Sequence, residues 1–149
     1  MRVYRIARAR YPALDDEGAR LVGGRWNSVG VPVVYTGLTR ALAVLESLVH
    51  ADPDLVPRDL TTFEIDVPEG LREETVDVAA LPTDWRRPGH VRCVELGDAW
   101  LRRAAAPLLQ VPSAVVPEET NLLINPRHPH AARVEVVRLA PFAFDARPL

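Results

Sequence analysis

Pro32-Val33-Val34-Tyr35-Thr36-Gly37-Leu38-Thr39-Arg40-Ala41-Leu42-Ala43-Val44-Leu45-Glu46-Ser47-Leu48-Val49-His50 is the stretch from which the fold is read. Pro32 to Thr36 is a short apolar run closed by Gly37, the length and composition of a buried strand. Thr39 then precedes a segment that lacks Gly and Pro and is rich in helix formers, which predicts a helix from Arg40 to His50 capped by Thr39. At about 100° per residue, Leu38, Leu42, Leu45 and Val49 share one stripe, Glu46 lies on its edge, and Arg40 and Ser47 point away. Glu46 is therefore expected to face inward. A carboxylate against an apolar stripe loses hydration and needs a cationic or donor partner. Arg25 is the candidate, or the charge of a ligand.

Outward from this unit, a first strand is predicted near Val3 to Ile6, followed by a polar loop that ends at Gly23-Gly24. Leu60 to Val67 alternates, with Phe63, Ile65 and Val67 on one face, and Pro68-Glu69-Gly70 ends it. Pro82 and Pro88 around Trp85 make Leu81 to Gly89 a loop. Asp98 is read as the cap of a helix running to about Leu108, with Trp100, Leu101, Ala104 and Leu108 at helical spacing. Val111 to Val116 and Val134 to Leu139 are further strands. Strands and helices mix without a regular βαβ alternation, so the expected class is α+β rather than a doubly wound sheet.

Composition sets limits. The chain of 149 residues, 48% of them hydrophobic, suits one globular domain spanning 1–149. Apolar runs fall short of the roughly 18 residues of a membrane span, and Met1-Arg-Val-Tyr-Arg-Ile6 lacks the apolar core of a signal peptide, so a cytoplasmic protein is expected. One cysteine, Cys93, leaves no internal disulfide and no multi-cysteine metal site. The net charge of -2 argues against nucleic-acid binding, although Arg2, Arg5, Arg8 and Arg10 cluster at the start. All 18 basic residues are arginine, a bias of base composition that also removes any Schiff-base or P-loop lysine.

Two polar islands interrupt this apolar frame: Gly23-Gly24-Arg25-Trp26-Asn27, and Pro112-Ser113 with the downstream Asn121-Leu122-Leu123-Ile124-Asn125-Pro126-Arg127-His128-Pro129. Taken in order with Tyr35-Thr36 and Ala41-Leu-Ala-Val-Leu-Glu46, they resemble the RES domain family, named for its arginine, glutamate and serine. The resemblance runs from Tyr4-Arg5-Ile6 to about Leu139 and is weakest from Glu69 to Leu96. It implies an ADP-ribosyltransferase-like fold with mixed and antiparallel strands and flanking helices. It also implies a toxin that consumes NAD+ as substrate, without a further cofactor, and an antitoxin partner of the Xre type. By motif the resemblance gives Arg25, Tyr35 and Glu46 as catalytic candidates. Gly24, Arg25, Tyr35, Ser113 and Asn121 are the substrate-binding candidates.

The chemistry suits those residue types. The nicotinamide of NAD+ is already a pyridinium and departs neutral, so the pair of carboxylates of an ordinary glycosidase is not required. Glu46 would hydrogen-bond the ribose and stabilise the oxocarbenium-like charge. Arg25 offers a fork for phosphate, and Gly23-Gly24 lets the backbone approach a ligand. Tyr35 is expected to stack on nicotinamide and donate its hydroxyl, against the alternative of a core tyrosine. Trp26 reads as packing. Ser113, outside any Gly-x-Ser-x-Gly elbow, is expected to orient the glutamate or bind ligand, against the alternative of a plain turn serine. Asn121 and Asn125 also suit ties to loop backbone. His128-Pro129-His130 is too sparse for a metal, and none is assigned. Three functions stay open: transfer of ADP-ribose to water or phosphate, transfer to a macromolecule, and a non-catalytic binding domain. Arg20, Arg86 and Arg87 are candidate contacts to an acidic partner surface.

Overall fold

The computed structural model describes residues 1–8, 14, 17–50 and 58–144. The elements run β1 (Arg2–Arg8), α1 (Glu17–Val22), β2 (Val34–Gly37), α2 (Arg40–His50), β3 (Leu60–Asp66), β4 (Glu73–Thr75), α3 (Val91–Arg103), β5 (Leu108–Pro112), β6 (Thr120–Ile124) and β7 (Glu135–Pro141). The strands form one sheet in the order β4-β5-β6-β2-β1-β3-β7. β4 and β5 are parallel and the other pairs antiparallel, which is the α+β class.

The sheet is unevenly stitched. β1 pairs with β3 from Arg2↔Asp66 to Arg8↔Leu60, whereas it meets β2 only at Tyr4↔Gly37. The chain thus makes two half-sheets, β7-β3-β1 and β2-β6-β5-β4, that touch at one position and diverge beyond it. α2 packs on both β1 and β2 and holds the two together.

Strand alternation gives the sheet a core on each face. Leu108, Leu122 and Ile124 join Val3, Val34, Phe63 and Ile65, while Leu109, Val111 and Leu123 join Trp85, Cys93 and Trp100 beneath α3. Each such side chain contributes about 1.5–3 kcal/mol by leaving water, and the first of these cores spans both half-sheets, so it joins them where main-chain pairing is sparse.

The strand and helix around Glu46 lie where the sequence puts them. Thr39 Oγ1 accepts the Leu42 N–H at 3.1 Å and caps α2, and a Cβ at Gly37 would press on the backbone of Thr39 and Ala43. The stripe is narrower than its periodicity implies. Leu42 is buried, but Leu45 and Val49 are 39% and 59% exposed. Ser47, expected to point away, lines the cleft.

α3 departs from its expected bounds. It starts after His90, whose Nδ1 accepts the Arg92 N–H, and ends at Ala104 in the left-handed region. Pro107 bars continuation, and Leu108 belongs to β5, which stops at Pro112 rather than running to Val116. Asp98 sits inside the helix, where its carboxylate holds Ser28 by both the main-chain N–H and the hydroxyl. α1 occupies part of the expected polar loop, and β4 and β6 were not foreseen in Glu73-Glu74-Thr75 and Thr120-Asn121. Arg10 lies outside the described residues.

Candidate active site

The gap between β1 and β2 opens into a cleft of about 550 Å³, within the usual range for small-molecule sites. Tyr4, Arg5 and Ile6 form one wall and Tyr35, Thr36 and Gly37 the other. Glu46 and Ser47 come from α2, the Gly23-Gly24-Arg25-Trp26 loop closes one end, and Pro88-Gly89, Pro112, Ala114 and Asn121 complete the rim.

Glu46 is anchored by donors from β6 and from the turn after β5. Its Oε1 accepts hydrogen bonds from Ser113 Oγ at 2.6 Å and Asn121 Nδ2 at 2.8 Å. Ser113 is fully buried, and its Oγ in turn accepts the N–H groups of Val115 and Val116, each at 3.1 Å. The hydroxyl proton is thereby directed at Glu46, so Ser113 acts as a donor rather than a nucleophile. Asn121 gives its N–H to the carboxylate while its buried Oδ1 finds no hydrogen-bond partner among the described residues. Short charge-assisted bonds of this kind fix the rotamer of a carboxylate.

Arg25 is not the partner of Glu46 that the helical reading nominated. Its Nη1 donates to the carbonyls of Trp85 at 3.2 Å and Arg87 at 3.4 Å, which moors the guanidinium to the 82–90 loop. The lining of the cleft thus carries a carboxylate and a moored cation.

Tyr35 contributes its ring to the wall, but its hydroxyl is engaged. Oη donates to Asn27 Oδ1 at 2.6 Å and accepts the Trp26 N–H at 3.1 Å. Burial pushes the phenol well above its ordinary value, outweighing the lowering effect of the Trp26 N–H, so it stays protonated. Asn27 passes the restraint on, with Nδ2 donating to the carbonyls of Ala19 and Val31. Gly24 is the hinge of this knot, since a Cβ there would lie 2.7 Å from Tyr35 Oη and 2.8 Å from Asn27 Oδ1. Its missing side chain makes room for a phenol of the protein itself. Trp26 is buried and tilts against Trp85 at 6.3 Å, the packing role read from the sequence.

Among the sequence candidates, Gly24, Arg25, Tyr35, Glu46 and Asn121 line the cleft, and Ser113 stands behind Glu46. Arg5 also lines it. Sequence reasoning noted that arginine only as part of a terminal cluster, although its place in Tyr4-Arg5-Ile6 was a usable signal. Asn125 ties backbone, accepting the Arg127 N–H and donating to Leu101 O. His128 spends Nδ1 on the His130 N–H. Among the described residues no helix is long and apolar enough to cross a membrane.

The RES domain family matches residues 2–145. The chain is similar to the Prs ADP-ribosylating toxin of Sphingobium sp. (strain YBL2), 39% identical over 137 residues, covering 90% of this chain and 85% of that protein. It is also similar to Toxin Res of Photorhabdus laumondii, 37% identical over 151 residues, covering 99% and 96%. Its fold matches a chain in the crystal structure of the M. tuberculosis MbcT-MbcA toxin-antitoxin complex with a TM-score of 0.76 at 21% identity, covering 95% of this chain and 83% of that one.

Proposed function

The chain belongs to the RES domain family, and from that premise we propose that it is the toxin of a toxin–antitoxin pair and acts by cleaving the nicotinamide–ribose bond of NAD+. The observation that carries the reading is a single carboxylate, Glu46, locked by Ser113 and Asn121 in a cleft that Arg25 also lines. Arg25 and Arg5 supply positive charge for the pyrophosphate, and the Tyr35 ring offers an apolar wall to the nicotinamide. As the bond to C1′ breaks, its electron pair passes to the pyridinium nitrogen and nicotinamide leaves neutral. The positive charge left on the ribose is met by Glu46, already oriented before the reaction begins. Water or phosphate then adds to C1′ and loses a proton, giving ADP-ribose or its 1″-phosphate.

A second reading transfers ADP-ribose to a cellular macromolecule. It is favoured by one relative's name, an ADP-ribosylating toxin. The cleft chemistry is the same and only the acceptor differs. Purified protein incubated with NAD+, with and without phosphate and with cell lysate, followed by mass analysis, separates the two. Free nicotinamide with ADP-ribose or its phosphate supports the first, and a mass increment on a lysate component supports the second. Intact NAD+ in all three mixtures refutes both.

The partner proposed is an Xre-type antitoxin, in keeping with the toxin–antitoxin complex that shares this fold. Expression of the chain alone should arrest growth as NAD+ falls, and co-expression of the neighbouring gene should relieve it. Harmless expression of an active protein would refute that assignment.

A further inference from the structure

Residues 69–96 carry the least sequence signal, yet the tripeptide Trp85-Arg86-Arg87 touches both Arg25 and the turn after Ser113. The carbonyls of Trp85 and Arg87 accept the Arg25 guanidinium. Between them, the Arg86 side chain reaches the other way: Nε donates to Ala114 O at 2.8 Å and Nη2 to Val115 O at 3.5 Å. Those carbonyls belong to the turn that Ser113 Oγ closes through the N–H groups of Val115 and Val116, and Ser113 Oγ in turn holds Glu46.

We propose that Arg86 is a positioning residue that couples the mooring of Arg25 to the mooring of Glu46. This rests on the reading of the cleft as an NAD+ site.

The tripeptide is a firm base for such a link. Trp85 is 5% exposed, packed against Trp26, and its carbonyl also accepts from Cys93 Sγ at 3.7 Å. Turn bonds from Trp85 N to Pro82 O and from Arg87 N to Asp84 O fold the loop, and His90 Nε2 donates to Asp84 Oδ1 at 2.9 Å to close it. A side chain anchored on a rigid loop transmits position. The same side chain on a loose loop would only decorate the surface. Arginine suits the task because its fork reaches two successive carbonyls at once, which the single ammonium of lysine does not. The acidic partner surface expected for Arg86 from sequence is therefore not needed to account for it.

The test uses Arg86→Ala and Arg86→Lys, which alter an exposed side chain and leave the core intact. Loss of these hydrogen bonds predicts a fall of about five- to tenfold in kcat/KM for NAD+ in Arg86→Ala, with partial recovery in Arg86→Lys. In a double-mutant cycle the Arg86→Ala effect should shrink to less than twofold in a Ser113→Ala background. A merely structural link would add independently. A substrate-free readout is the side-chain 15Nε–1H resonance of Arg25, which should lose order in Arg86→Ala. An unchanged Arg25 resonance overturns the proposal, as does a disordered resonance with kcat/KM within twofold of an active wild type. A wild type inert toward NAD+ refutes the functional reading, and the Arg25 resonance then decides the coupling alone.

Discussion

Ser113 Oγ stands 2.6 Å from Glu46 Oε1, although 67 residues separate them in the chain. The serine's hydroxyl is the pivot of two tasks, since the oxygen that donates to the carboxylate also accepts two main-chain N–H groups of its own turn. Removing it should therefore lower both stability and rate.

In Ser113→Ala the Val115 and Val116 N–H groups lose their acceptor and the carboxylate loses a charge-assisted bond. Stability should fall by about 2 kcal/mol, and kcat by roughly tenfold. Denaturant unfolding and single-turnover kinetics check the two arms. A change in stability with unaltered kcat would leave the serine a structural role only.

Glu46→Gln keeps size and can still accept from Ser113, but it lacks the charge that meets a developing cation. NAD+ cleavage should drop by about 10² to 10³ while NAD+ binding by calorimetry stays within a few-fold. A Glu46→Gln variant with normal turnover would show that another group stabilises the transition state.

Arg25→Ala removes the moored cation. A charge-assisted hydrogen bond of about 1.5–3 kcal/mol predicts a ten- to hundredfold loss in kcat/KM with the fold retained. Circular dichroism verifies the fold, and initial rates measure the loss.

Gly24→Ala places a methyl group 2.7 Å from Tyr35 Oη, and both Tyr35 and Asn27 are bound into neighbouring backbone. Something must shift, and the cost should be about 1–3 kcal/mol as in other overpacked sites. The Tyr35→Phe/Gly24→Ala double variant, lacking the hydroxyl, should recover part of it in thermal unfolding.

The raised phenol pKa of Tyr35 has a testable sign. Its folded value exceeds its unfolded value, so the folded state keeps a proton that the unfolded chain releases. The contribution to stability is fully present below about pH 10 and is lost as pH rises beyond it. Tyr35→Phe should flatten that alkaline decline. It should also leave the phenolate absorbance that develops up to about pH 11 unchanged, because Tyr35 does not contribute to it.

Legibility in the sequence followed the range of the forces involved. β2 and α2 were readable because Gly37 and Thr39 act on their own neighbours. Asp98 misled because a helix cap and a tertiary bond to Ser28 need the same carboxylate, and only distance in space separates the two uses. β6 was hidden because Thr120 and Asn121, polar residues at its start, pair with Pro112 and Val111 while Asn121 also serves Glu46. Leu45 and Val49 looked like core because periodicity reports a face of the helix and cannot report what covers it. Arg25, Tyr35, Glu46 and Asn121 meet around one cleft, but their partners were not legible: Arg25, or a ligand's charge, was expected to meet Glu46, whereas Arg25 is tethered by main-chain carbonyls and Glu46 by a hydroxyl and an amide far off in sequence.

The single Tyr4↔Gly37 pairing has a mechanical meaning. A sheet resists shear in proportion to the rungs of its ladder, and here the ladder has one rung, so the width of the cleft is set by the α2 brace and by the core that Val3, Phe63 and Ile65 share with Leu108, Leu122 and Ile124. Glu46 rides on that brace while Ser113 and Asn121 belong to one half alone. Prying the halves apart would therefore strain Glu46 against its anchors, so a molecule wedged at the seam is expected to disturb the cleft without resembling anything the cleft was shaped to hold.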